Sequence, residues 1–215
     1  MGNERKIIVA LDGVSEKEAV RIANILKGYV WGFKINDLLF QNIQIIGKLR
    51  KFGKVFADAK LHDIPNTVSN SVKRLSAAGA DLITIHASGG VEMMKAAKRS
   101  AKGSKIIAVT VLTSRDKKQK GIIGLVRAAI KAKVDGVVCS GHALAFVKRV
   151  PRSKSLLKIV PGIRPEGYKR KDDQKQATTP EEALRSGADY LVIGRPILKS
   201  RDPVKVIKGL YKPTG

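Results

Sequence analysis

The 215-residue sequence holds a single cysteine, Cys139, which excludes an internal disulfide and a multi-cysteine zinc site and fits a reducing, cytoplasmic compartment. Aromatic residues reach only 5%, too few for the stacking platforms that hold single-stranded nucleic acid. No apolar run approaches the ~18–20 residues that cross a membrane, so no membrane partner is expected. Acidic residues are scarce, 18 against 42 Lys+Arg, and the formal net charge is +24. Hydrophobic residues nevertheless make up 43%, which excludes a disordered chain. The start, Met1 to Lys6, runs directly into a β-like stretch, so no cleavable leader is expected.

The surplus of positive charge raises a nucleic-acid-binding reading, because basic side chains that neutralise phosphates release counterions. Its distribution argues otherwise. Residues 1–100 carry a net +7 and residues 101–215 a net +17, with no uninterrupted basic block of the kind that forms a binding tail. The balance describes a solvated, lysine-rich surface, of which an anionic small ligand accounts for a few charges. No specific nucleic-acid partner is expected.

Short β-branched runs alternate with amphipathic stretches throughout. The apolar runs at 6–12, 29–36, 54–61, 81–88, 105–113, 135–140, 157–163 and 190–197 are nearly continuous, as in parallel strands buried on both faces. Helical patterns lie between them at 15–27, 37–52, 66–78, 91–101, 121–133, 142–149 and 180–186, and one at 202–211 closes the chain. Ser15 and Glu18 have capping-box spacing, Pro180 suits a first helical turn, and Gly79 and Gly187 fall where left-handed caps end helices. Eight such units in a chain of this length predict an α/β protein of one domain, 1–215, closed as a single (β/α)8 TIM barrel. A doubly wound open sheet fits less well, because no Gly-x-Gly-x-x-Gly follows the first strand. Trp31 and Phe33 are expected to pack outside the barrel against helices, and Cys139 to be a small core residue. The long connection between Ile163 and Pro180 is expected to be a lid or binding loop.

Barrel chemistry sits at the C-terminal ends of the strands. Those positions hold Asp12, Lys34, Asp58 with Lys60, His86, Thr113, Ser140, the turn from Pro161 to Arg164, and Gly194-Arg195. Alternation puts Asp58 and Lys60 on one face of the third strand, about 6.5–7 Å apart, within reach of Lys34. Local sequence leaves two readings open. One is a structural ion-pair network; the other is a charged array whose lysine, held between carboxylates, keeps a deliverable proton aimed in one direction. Gly194-Arg195 follows Tyr190-Leu-Val-Ile at the last strand, where barrels commonly cradle a phosphate: Gly194 permits close approach and Arg195 can bind an oxyanion bidentately. Arg164 and Gln174, in the long loop, could close over the same group. His62, His86 and His142 lack ligand spacing, so no metal site is expected.

The run Asp58-Ala-Lys60-Leu-His-Asp63-Ile64-Pro65-Asn66-Thr67 resembles the Asp-x-Lys-x-x-Asp-Ile-Pro-x-Thr signature of the orotidine 5′-monophosphate decarboxylase family. Val9-Ala-Leu-Asp12, Phe33-Lys34, Val109-Thr-Val-Leu-Thr113-Ser114, Gly136-Val-Val-Cys-Ser140, Pro161-Gly-Ile-Arg164-Pro165, Asp173-Gln174 and Leu191-Val-Ile-Gly194-Arg195-Pro196-Ile197 follow in the family's order. The resemblance therefore spans essentially the whole chain and is to a short, archaeal-like form. It implies a cofactor-independent, metal-free conversion of orotidine 5′-monophosphate to UMP and carbon dioxide, the last step of de novo pyrimidine nucleotide synthesis. It further implies that Lys60 protonates C6, within an array of Lys34, Asp58, Lys60 and Asp63. Asp12 and Lys34 would hold ribose hydroxyls, Thr113 or Ser114 would meet the pyrimidine edge, and Pro161 would line the site. Gln174, Gly194 and Arg195 would bind phosphate, with Arg164 at the same end. Asp63 and Thr67 would enter the partner's site across a homodimer interface. The sequence departs from the family at Asn36-Asp37, where relatives more often carry Gly, and in a longer, more basic phosphate loop.

Two alternatives follow from the same residues. Keto-gulonate phosphate decarboxylases and hexulose phosphate synthases share Asp-x-Lys-x-x-Asp but use magnesium; Ile64-Pro65, the Arg164 turn and Asp173-Gln174 favour the orotidine reading. The non-enzyme alternative is the basic nucleic-acid-binding protein raised by the +24 charge.

Overall fold

Eight parallel strands follow one another around a closed barrel, each paired with the next in sequence and the last with the first. They are β1 (Ile7–Ala10), β2 (Gly32–Ile35), β3 (Lys54–Leu61), β4 (Leu82–His86), β5 (Lys105–Val109), β6 (Gly136–Val138), β7 (Leu157–Val160) and β8 (Tyr190–Ile193). The computed structural model describes residues 6–110, 119–168 and 178–210. The helices there are α1 (Glu16–Leu26), α2 (Asp37–Gln41), α3 (Ile45–Arg50), α4 (Pro65–Ala77), α5 (Gly90–Ser100), α6 (Gln119–Lys131), α7 (Leu144–Lys148), α8 (Pro180–Arg185), α9 (Arg195–Leu198) and α10 (Pro203–Gly209).

Strand alternation divides the apolar residues into two layers. Ile8, Phe56, Leu82, Ile107, Ile159 and Val192 point inward and fill the barrel. Their neighbours Ile7, Val9, Val55, Ile83, Ile106 and Leu191 point outward, into the larger core beneath the helices. This is why the strands read as continuous apolar runs: both faces are buried. The inner plug occupies only part of the barrel. Beyond it the inward parity continues as Lys34, Asp58 and Thr84, all less than a tenth exposed.

Three acids tie the barrel's N-terminal end. Asp81, Asp135 and Asp189 each precede an even-numbered strand, and each accepts the backbone N–H of Val55, Ile106 or Lys158 on the strand before it, at 2.8–2.9 Å. Each is also paired with a lysine: Lys54, Lys98 and Lys158 respectively. Gly79 and Gly187 take φ of +98° and +95° just upstream of two of these acids, as expected for left-handed caps.

Several expectations need correction. The pattern at 37–52 forms two helices, α2 and α3, because Asn42 is extended between them and its side chain accepts the Gln44 N–H at 2.9 Å. The last strand stops at Ile193 rather than 197; Gly194 turns the chain, and Pro196, which has no N–H for a ladder, sits in the first turn of α9. Ser15 accepts the Glu18 N–H at 3.2 Å, but the Glu18 carboxylate pairs with Arg21; the reciprocal capping box forms instead between Thr179 and Glu182. Phe33 lies in the outer core as expected, whereas Trp31 packs on the inner plug, its ring centroid 5.1 Å from that of Tyr190. Trp31 precedes β2, so strand alternation does not govern its side chain. Cys139 is buried in the outer core.

Candidate active site

Above the inner plug the strand ends open into a cavity of about 490 Å³, lined by Asp12, Lys34, Asp37, Asp58, Lys60 and Pro161 among others. A second cavity of about 370 Å³ shares Asp12, Lys34, Pro161 and Val192 with it and continues to Arg164, Gly194 and Arg195. The two form one trough, with a charged array at one end and two guanidinium groups at the other.

The array is built from β2, β3 and the turn after β1. The Lys34 ammonium, from β2, donates to both carboxylate oxygens of Asp12 at 2.8 and 2.7 Å. It also stands 3.2 Å from Oδ2 of Asp58 on β3. That same oxygen accepts from the Lys60 ammonium at 2.6 Å. One carboxylate thus bridges two ammonium groups. Burial alone would depress the Lys34 pKa, but the charges of Asp58 and Asp12 outweigh it and hold the pKa above the ordinary lysine value. Burial likewise works against the Asp58 carboxylate, yet Lys34, Lys60 and the hydrogen bonds from Lys60 and Thr84 drive its pKa below the ordinary value. Both groups are therefore held charged in a buried site.

Lys60 adopts φ of +46°, in the left-handed region that residues with a Cβ rarely enter. The β3–β4 register shifts here, between the pairs Ala57–Ile83 and Leu61–Ile85. Simple alternation, the ground for placing Asp58 and Lys60 together, is therefore broken at Lys60, and an irregular backbone aims its side chain at Asp58. The Asn36 amide, on the turn after β2, donates to the Asp58 carbonyl at 2.7 Å and ties the excursion to the neighbouring strand.

At the other end, Arg164 is buried, donates to the Ile163 carbonyl at 2.9 Å and lies 5.8 Å over the Tyr168 ring. Ile163 bridges to Thr178, and the Arg164 N–H donates to the Thr178 carbonyl at 3.1 Å, closing the base of the long connection. Of the sequence candidates, the structure brings together Asp12, Lys34, Asp58, Lys60, Pro161, Arg164, Gly194 and Arg195. Asp63 and Thr67 are exposed on the segment leaving β3, where the Asp63 carboxylate accepts the Ile64 N–H at 2.6 Å rather than joining the array. Thr113, Ser114 and Gln174 lie outside the described residues, as does the centre of the expected lid. Ser140 is buried, and its hydroxyl accepts the Ala143 N–H at 3.2 Å. His86 stacks near His62, with ring centroids 5.4 Å apart; burial, then the neighbouring His62 and Lys60, lower its pKa.

Sequence reasoning missed Asp37, Asn36 and Thr84 as parts of the site. Asp37 lines the cavity and accepts the Gly13 N–H at 3.0 Å, which pins the turn after β1. Its signal was the departure from Gly at Asn36-Asp37. Thr84 was hidden as one hydroxyl within the apolar run Leu82-Ile-Thr-Ile.

The fold and the trough define a barrel enzyme with buried, fixed charges at one end of its cavity and two guanidinium groups at the other. A family profile, "Orotidine 5'-phosphate decarboxylase / HUMPS family", matches residues 5–210. The chain is 39% identical to an orotidine 5'-phosphate decarboxylase of Dichelobacter nodosus, over 97% of this chain and 98% of that protein. It is 42% identical to the one of Anaeromyxobacter dehalogenans, over 98% of each. Among solved structures it resembles the orotidine 5'-phosphate decarboxylases of Lactobacillus acidophilus (TM-score 0.80, 32% identity, 96% and 97% covered) and Pyrococcus horikoshii (TM-score 0.81, 26% identity, 95% and 97% covered). The chain belongs to the orotidine 5'-phosphate decarboxylase / HUMPS family and is a carboxy-lyase of pyrimidine biosynthesis.

Proposed function

We propose that this carboxy-lyase converts orotidine 5′-monophosphate to UMP and carbon dioxide, with Lys60 as the proton donor to C6. The observation that carries the reading is the bridging of Lys60 and Lys34 by the one buried carboxylate of Asp58, at 2.6 and 3.2 Å. Breaking the bond between C6 and the carboxyl carbon releases carbon dioxide and leaves the electron pair on C6. The ring delocalises that pair poorly. A positive charge fixed beside C6 stabilises it without reorganisation. The Lys60 ammonium then delivers its proton to form the C6–H of UMP, and solvent reprotonates the amine. Asp58 also faces the departing carboxylate. At ~4 Å and an effective dielectric of about 20, that repulsion is on the order of 4 kcal/mol. The chemistry calls for neither cofactor nor metal.

The remaining roles are those the family resemblance implies. Asp12 and Lys34 hold ribose hydroxyls, Thr113 or Ser114 the pyrimidine edge, and Pro161 the wall. Gly194, Arg195 and Gln174 take the phosphate, with Arg164 at the same end. Phosphate binding is remote from C6, so its energy serves to position the ring. The whole chain, 1–215, acts as one domain, in the cytoplasm, as a homodimer in which Asp63 and Thr67 enter the partner's site. Support for the dimer comes from two exposed apolar side chains, Phe40 and Ile64, 80% and 65% exposed, the latter adjoining Asp63.

The test is loss of orotate absorbance on purified protein, with and without EDTA. Turnover unchanged by the chelator is expected. Strict magnesium dependence with no turnover of orotidine 5′-monophosphate would sink the reading in favour of the metal-dependent members of the family. Lys60→Ala is expected to abolish turnover while UMP still binds; normal turnover in that variant would remove Lys60 from the mechanism.

A further inference from the structure

We propose that Thr84 is a positioning residue for this reaction, its one hydroxyl setting both the backbone of Lys60 and the carboxylate of Asp58. The proposal rests on the reading of Lys60 and Asp58 given above. Thr84 is on β4, fully buried, on the inward face next to β3. Its hydroxyl accepts the Lys60 backbone N–H at 2.9 Å and donates to Asp58 Oδ1 at 2.9 Å.

The register explains why a side chain is needed there. Between the pairs Ala57–Ile83 and Leu61–Ile85, β3 runs through residues 58, 59 and 60 while β4 supplies only Thr84. A backbone that bulges in this way gives up ladder hydrogen bonds, and a buried amide left unpaired is costly. The Thr84 hydroxyl fills the gap: it takes the Lys60 N–H where φ is +46°. Its own proton then goes to Asp58, whose other oxygen holds the two lysines. Both ends of the Asp58 carboxylate are thereby occupied, Oδ1 by a neutral donor and Oδ2 by the ammonium groups. The plane of the carboxylate, and with it the direction of the Lys60 ammonium, is set from β4. Strain stored at Lys60 is held in place by the same contact.

The experiment compares Thr84→Val, which keeps the shape and loses the hydroxyl, with Thr84→Ser, which keeps the hydroxyl. In Thr84→Val, kcat is expected to fall about 10- to 100-fold, the effect of losing a hydrogen bond to a charged group, with KM within about twofold. Asp58 loses a donor to its charged form, so the acid limb of the pH–rate profile moves to higher pH. Thr84→Ser is expected to restore kcat to within about threefold and to return the acid limb. A wild-type kcat in folded Thr84→Val, or a loss that Thr84→Ser does not rescue, overturns the proposal. Should Thr84→Val fail to fold, Thr84→Cys, with its weaker donor, is measured instead. An intermediate kcat supports the proposal, and a full one overturns it. Lys60→Ala separates the two levels. If it is inactive while Thr84→Val is fully active, only the positioning role falls; if it turns over normally, the reading of the array falls too.

Discussion

Lys34 holds both carboxylate oxygens of Asp12 while standing 3.2 Å from Asp58, so one ammonium on β2 joins the turn after β1 to β3. Like Asp58, it is buried, with a side chain only 10% exposed. Removing it strands the buried Asp58 carboxylate with one counterion fewer. Lys34→Met is therefore expected to destabilise the fold by on the order of 3 kcal/mol, measured by urea unfolding. A loss below about 0.5 kcal/mol would mean that Lys60 and Thr84 satisfy Asp58 without Lys34.

The same charges set the pH dependence of stability. Asp58 has its pKa lowered from 3.8, so it contributes stability that is fully present above that value. This contribution is lost as pH falls through the depressed folded value. Lys34 has its pKa raised from 10.5, so its contribution is fully present below that value and is lost as pH rises through the raised one. Unfolding free energy measured between about pH 5 and pH 2 should therefore fall steeply for the wild type and less steeply for Asp58→Asn. Equal slopes would show that other carboxylates carry the acid transition.

Close strand approach makes a second stability prediction, at glycines. A Cβ on Gly32 would lie 2.0 Å from the Lys54 carbonyl oxygen, a backbone atom of the adjoining strand that cannot give way. Gly32→Ala is expected to cost about 3 kcal/mol or to yield insoluble protein. Gly47, within α3, meets nothing within 4 Å, so Gly47→Ala should stabilise by about 0.5–1 kcal/mol. Thermal melts of the two variants, moving in opposite directions, check both.

Much of this architecture could be read from sequence because parallel strands buried on two faces leave a strong mark. Ile7 to Ala10 and Leu82 to His86 are legible as strands for that reason. The catalytic candidates were legible because charge at the end of an apolar strand is unusual, as at Lys34 and Asp58. What escaped was whatever depends on register or on a single turn. The break at Asn42 rests on one Asx contact, and the inward Trp31 on a residue just outside its strand. Thr84 escaped because a lone hydroxyl in a β-branched run looks like core. Only the shift between β3 and β4, invisible in either strand alone, gives it work.

The proposed homodimer leads to a test by mixing. Lys60 is held in the array of its own chain by Asp58, whereas Asp63 and Thr67 are exposed and the Asp63 carboxylate accepts the Ile64 N–H instead. If Asp63 serves the partner's site, Lys60→Ala and Asp63→Ala damage complementary halves. In a mixed dimer one site carries both lesions and the other carries neither. Equal amounts of the two inactive variants, unfolded together and refolded, give half mixed dimers, each with one intact site. Activity should then recover to about a quarter of the wild-type value. If each site is built from one chain alone, every site keeps a lesion and the mixture stays inactive. Dilution supplies the control, since recovered activity must fall as dimers dissociate and the intact site is divided between two chains.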